Sequence, residues 1–315
     1  MVFDVVGLLA GLVLLTVAGD AFVVGVARVA ESLRIRPTVV GALVGGLGTS
    51  VPVLIVSAIA TVQRAPEIAL GNLVGSIIVN VSLGLAIASL VAPVRVDSRT
   101  VRREAPLSVA SVLVFAVVVH VGISGVEALV SAIALGFALV ILLRGARSGV
   151  DHDELGQETV EFFGRPDREG PRRDVVRTGL SLLAMAMGAE LLVRSATAIA
   201  VRFGLAEGFV GLTIVAVGTS APLIASGIAA ARRGDHDLVV GNVLGGNLFI
   251  GLLGAVVVGS LGGVSGSGFP AISLAVMVGV SAASWGFMAR GKVILRWEAM
   301  LLLLTYAAML PFLSR

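Results

Sequence analysis

Ten apolar runs of about 20 residues, split by short arginine-bearing connections, constrain this chain more than any other feature. They lie at about 3–27, 38–62, 68–92, 106–121, 124–143, 176–200, 209–231, 238–261, 269–289 and 294–313. A hydrocarbon core about 30 Å thick is crossed by a helix of roughly 20 residues. Lipid offers no partner for the backbone, so such segments must satisfy their own N–H and C=O groups, as a helix does. The runs therefore predict an all-α polytopic membrane protein with ten transmembrane helices. Composition agrees: 14% of the 315 residues are charged and 57% hydrophobic, against about 25% charge in a soluble domain. The first run begins Met1-Val2-Phe3-Asp4 with no basic segment before it and continues past signal-peptide length, so it reads as a first transmembrane helix.

The arginines orient the chain. Of the 23 basic residues, 19 fall in or beside the connections after runs 1, 3, 5, 7 and 9. Basic residues stay on the cytoplasmic side, which places both termini outside. The net charge of +3 is thus a topological signal and implies no nucleic-acid partner. Lys292 is the one lysine, and an arginine bias of this kind fits a GC-rich bacterial genome and an inner (cell) membrane. A polar stretch at about 144–175 divides the chain into 1–143, a cytoplasmic linker, and 176–315. The linker acids at 151–161 match no EF-hand spacing.

Several chemistries are excluded. Without cysteine there is no thiolate metal site or thiol nucleophile, and His120, His152 and His236 are too few and too scattered for a metal cluster. No Gly-Lys-Ser/Thr phosphate loop can be written. The chain reads as neither an enzyme nor a cofactor protein.

A shift of 170 residues, without a gap, lays 41–80 on 211–250. Gly41, Gly48, Thr49, Ser50, Pro52, Ala60, Gly71, Asn72 and Gly75 then match Gly211, Gly218, Thr219, Ser220, Pro222, Ala230, Gly241, Asn242 and Gly245. Five runs per half is an odd number, so the second copy enters from the opposite side. The fold expectation is two inverted five-helix repeats, with repeated cores at about 38–92 and 209–261. Proline removes a helical hydrogen bond and crowds the preceding turn, so Gly48 and Pro52, with Gly218 and Pro222, should break runs 2 and 7. Broken backbone at membrane depth is tolerated only where it lines a cavity or is buried in protein, and paired breaks in two inverted halves point to a transport site. Thr49, Ser50, Thr219 and Ser220 would line it, joined by Asn72, Ser76, Asn80, Asn242 and Asn247 of the following runs. The competing account is close helix packing by small residues; repetition at symmetric places argues against it.

With Gly-Thr-Ser-Val-Pro-Val at 48–53, Gly-Asn-Leu-Val-Gly-Ser at 71–76, Gly-Thr-Ser-Ala-Pro-Leu at 218–223 and Gly-Asn-Val-Leu-Gly-Gly-Asn at 241–247, the chain resembles the calcium/cation antiporter superfamily, which includes the sodium/calcium exchangers. The likeness covers almost the whole length and implies ten spans, two α-repeats and cation exchange. It also exposes a departure. The resemblance implies an acid after each proline, facing its twin across a calcium site; here those positions are Val53 and Leu223. A further polar or acidic position is Ile250, its first-repeat counterpart is Asn80, and a usual asparagine is Ile77. Calcium takes 6–8 oxygens, commonly including carboxylates, so the resemblance carries the fold further than the substrate.

Asp20 and Glu190 occupy equivalent places in runs 1 and 6, and an ionisable residue inside a span is a functional candidate. Proton coupling is one role. The other is structural, because Arg194 stands four residues after Glu190, the spacing of a helical ion pair. Three readings follow: a secondary antiporter of altered selectivity, carrying a monovalent ion such as sodium or a proton; a transporter of a small organic solute; and a transport-inactive membrane regulator. Apolar filling by Val53, Leu223 and Ile250 would favour the last two, and a small polar cage the first.

Overall fold

The computed structural model describes residues 2–32, 46–147, 171–264 and 269–313. Its helices are α1 (Val2–Ser32), α2 (Gly46–Val62), α3 (Pro66–Val91), α4 (Thr100–Val121), α5 (Gly125–Arg147), α6 (Pro171–Phe203), α7 (Glu207–Thr219), α8 (Ala221–Arg233), α9 (His236–Ser260), α10 (Ala271–Gly291) and α11 (Arg296–Leu313). By length and composition seven of them can cross a membrane, and α7 with α8, bent by 43° at their junction, makes an eighth such segment. The protein is an all-α integral membrane protein. Helix extends into both ends of the stretch at 144–175; its middle, 148–170, lies outside the described residues, as do 38–45 of the second apolar run.

Burial sorts the helices. Within the molecule 78% of the apolar window of α3 and 67% of that of α9 is buried, against 17% for α5. The two most interior helices are thus the ones that follow each Gly-Thr-Ser-Pro segment, and α5 presents its side chains to lipid. Long helices hydrophobic on all sides belong in a core or in a membrane, and here both settings are used.

Close approach is set by glycine. A methyl group added at Gly75 would come within 2.4 Å of the Leu212 carbonyl, and one at Gly71 within 2.4 Å of the Gly208 carbonyl. Helix α3 therefore packs backbone to backbone on α7. Helices α1 and α6 run antiparallel and cross at Gly11 and Gly188, where an added methyl would meet the opposite carbonyl at 2.8 and 3.1 Å. Ion pairs close both ends of that pair: Arg28 to Asp174 at 3.7 Å and Arg202 to Asp4 at 3.4 Å.

Two strand contacts tie the connections together. Residues Val94–Arg95 (β1) pair antiparallel with Val293–Ile294 (β2), and Ile123 bridges Val264 at the other end of α4. Trp285 donates its indole N–H to the Val101 carbonyl at 3.0 Å, holding α10 to α4. The carboxylates of Glu127 and Glu298 accept from the backbone N–H of Ser124 and Leu295. They satisfy helix starts that would otherwise be unpaired.

Candidate ion-binding site

Both Gly-Thr-Ser-Pro segments are built alike. Helix α2 is interrupted at Thr49–Ser50 and α7 ends at Thr219, with Ser50 and Ser220 as the junction residues. Each proline is the second residue of the new helical segment. There its missing N–H costs nothing, because the first helical N–H groups lack intrahelical acceptors anyway. The break thus lies before the proline, which cannot donate to the carbonyl four residues earlier, that of Gly48 in one half and Gly218 in the other.

The structure gathers all nine neutral candidates in the interior, each at most 9% exposed. Asn80 donates its amide N–H to the Asn247 side-chain oxygen at 2.9 Å, joining α3 to α9. Ser50 donates to the Gly46 carbonyl at 2.9 Å and reaches the Gly246 carbonyl at 3.4 Å. Thr219 donates to the Asn72 side-chain oxygen at 2.9 Å and lies 3.4 Å from the Ser76 hydroxyl. Asn72 in turn donates to the Val53 carbonyl and to Ser57 Oγ, both at 3.0 Å. Two buried oxygens, Asn80 Oδ1 and Ser220 Oγ, have no hydrogen-bond partner among the described residues. An unsatisfied oxygen at such depth is costly, and a cation is the natural partner for it. A π-helical stretch at Asn80–Leu85 begins at Asn80 itself; such irregular turns are frequent at functional sites.

Apolar side chains fill the positions between. Val53, Leu223 and Ile250 are buried. Leu223 sits over two bare backbones: a methyl at Gly84 would come within 2.8 Å of it, and one at Gly246 would lie 3.4 Å from both Leu223 and Ser50 Oγ. Among the described residues no group of three His, Asp or Glu stands close enough to share a metal ion.

Asp20 and Glu190 are not brought together. Asp20 lines a cavity of about 60 Å³ beside the breaks, together with Thr49, Pro52, Pro222, Ser226 and Asn242. Glu190 is held by Arg194 at 2.5 Å within α6.

A protein family described as sodium/calcium exchanger protein matches residues 3–144 and 175–315. The chain belongs to that family. It is 34% identical over 247 residues to the inner membrane protein YrbG of Escherichia coli K12, covering 77% of this chain and 75% of the relative. To the putative antiporter CaxA of Alkalimonas amylolytica it is 32% identical over 254 residues, covering 79% and 78%. Among solved structures, the sodium-calcium exchanger NCX_Mj soaked with 10 mM Na+ and zero Ca2+ superposes with a TM-score of 0.65 at 30% identity, covering 98% of both chains. This exchanger-family chain is therefore a transporter of the cation-antiporter type and not an enzyme.

Two residues of this site carry more than their place in the repeat indicated. Asn72 is the hub of the first-half network, and Ser57 is its partner. The signal was available: the 170-residue shift sets Ser57 against Gly227 and Asn72 against Asn242, so the two halves cannot bond alike.

Proposed function

We propose that this exchanger-family chain is a secondary antiporter whose central site takes a monovalent cation in place of calcium. The observation that carries the reading is the pair of buried oxygens, Asn80 Oδ1 and Ser220 Oγ, that have no partner among the described residues, in a site whose candidate side chains are all neutral hydroxyls and amides. Neutral oxygens replace the water of a singly charged ion, as carbonyl rings do in channels. A double charge at membrane depth asks for compensating carboxylates, and Val53 and Leu223 supply none.

The architecture we propose around this site is ten transmembrane helices in two inverted five-helix repeats, with both termini outside a bacterial inner membrane. In support, α2 and α11 add two helices to the eight segments able to cross. The 170-residue shift also carries Val94 to Val264 and Ile123 to Val293, and these four residues make the strand contacts at the two ends of α4.

A second reading rests on the burial of Val53, Leu223 and Ile250: a chain that retains the fold and moves nothing. A small organic solute is disfavoured, because a cavity of about 60 Å³ is far below the roughly 300–1,000 Å³ of ordinary ligand pockets.

The test is flux in proteoliposomes. Sodium-loaded vesicles should exchange labelled sodium, lithium or potassium, and should not take up calcium. The double variant Val53→Glu, Leu223→Glu should gain sodium-dependent calcium uptake. Calcium exchange by the unmodified protein overturns the monovalent reading, and silence toward every alkali cation establishes the second.

A further inference from the structure

We propose that the cavity beside the helix breaks is a second monovalent-cation site, charged by Asp20 and distinct from the central one; it rests on the antiporter reading above. Two independent observations point to a ligand there. The first is the carboxylate of Asp20, which lines the cavity and makes no hydrogen bond or ion pair with the described residues. Its repeat counterpart Glu190 is neutralised by Arg194, and the cation further along its own helix, Arg28, is engaged by Asp174.

The second observation is Asn242. It is only 4% exposed and lines the same cavity, yet its side chain has no hydrogen bond to the described residues. Its counterpart Asn72 bonds to the Val53 carbonyl, Ser57 and Thr219. The difference has identifiable causes. Ser57 is replaced by Gly227, which has no hydroxyl. The Leu223 carbonyl, equivalent to that of Val53, accepts instead from Ser226 Oγ at 3.0 Å. A buried amide without a protein partner is a destabilising arrangement unless something else meets it.

The donor set defines the ligand. Among the residues that line the cavity, the exposed Asp20 brings one carboxylate, and Thr49, Ser226 and Asn242 bring neutral oxygens; the rest of the lining is apolar, and the space is large enough for an ion with some of its water. One negative charge balances one positive charge, whereas a divalent ion would leave a net charge at membrane depth. Thr49 belongs to this cavity, and the next residue, Ser50, reaches the central site through the Gly246 carbonyl. The cavity is thus one step from the centre, and Asp20 supplies the attraction for cations that Val53 and Leu223 cannot.

The chain has no cysteine, so a single reporter can be placed at the cavity with Leu238→Cys, and its rate of modification by a small neutral thiol reagent followed. At constant ionic strength, sodium or potassium should slow the modification while N-methylglucamine does not. Asp20→Asn should raise the protecting concentration about tenfold or more, and Asn242→Ala should raise it by a smaller factor. Asn242→Ala also serves if the Asp20 variant does not fold. Asn80→Ala, in the central site, should abolish flux and leave protection intact, which separates failure of this site from failure of the antiporter reading. Protection that survives in both Asp20→Asn and Asn242→Ala overturns the proposal, as does protection by pH alone or by no alkali cation.

Discussion

The α2–α3 segment and the α8–α9 segment carry the same pattern and differ in what their paired asparagines meet. In the first, Gly71 and Gly75 lie against the backbone of α7, and Asn72 spends both its donor and its acceptor on protein partners. In the second, no described residue lies within 4 Å of a methyl built at Gly241, one at Gly245 would meet the Gly46 Cα at 3.2 Å, and Asn242 faces a cavity. Identical motifs therefore satisfy one asparagine within the protein and turn the other toward a cavity. Small residues at a helix interface are permissive: they let backbones meet but do not oblige them to. The neighbours decide, and here they are Gly208 and Leu212 on one side and Gly227 on the other.

Matched substitutions break this comparison most directly. Gly71→Ala should be the most damaging, because the new methyl meets backbone atoms that cannot move aside; a loss of about 3 kcal/mol is expected. Gly241→Ala, its counterpart, should cost less, since no described residue lies within 4 Å of the added methyl. Thermal unfolding in detergent reads both, and equal losses would show that the two sides are packed alike. Asn72→Ala should follow with a loss of about 2 kcal/mol, since it removes the buried hydrogen bonds to Thr219, Ser57 and the Val53 carbonyl, while Asn242→Ala should leave the unfolding temperature nearly unchanged. The smallest effect sharpens the comparison without disturbing stability. An added group at Gly227 has room, its nearest neighbours being Ala88 and the Gly84 carbonyl at 3.9 and 4.0 Å. Gly227→Ser should give Asn242 the partner that Asn72 has, and so weaken alkali-cation protection of the Leu238→Cys reporter several-fold.

Much of this was legible in the sequence because lipid simplifies folding. Apolar runs announce helices, and a proline after Gly-Thr-Ser announces where a helix must restart. The neutral ligand candidates around Asn80 and Thr219 followed from the repeat, and the structure buries all of them. What periodicity could not give was the pairing between halves. That α1 would lie on α6, and that Leu223 would sit over Gly84 and Gly246, depends on contacts far apart in the chain, where glycine signals closeness without naming the partner. The strand contact Val94–Arg95 with Val293–Ile294 was also hidden, since two residues carry no alternation. The difference between Asp20 and Glu190 was half visible: Arg194 stands in the sequence, whereas the cavity before Asp20 exists only once α2, α8 and α9 have assembled around it.

The pairing of α1 with α6 bears on how the protein is made. Between Ser32 and Pro171 the ribosome adds 138 residues, a delay on the order of ten seconds at ordinary elongation rates. Through that interval the first helix is already apolar enough to enter the bilayer, yet the glycine face that will receive its mate has only acyl chains or an insertase beside it. Biogenesis thus leaves an early guest waiting for a late one. A chain truncated before α6 would keep that glycine face uncovered in lipid.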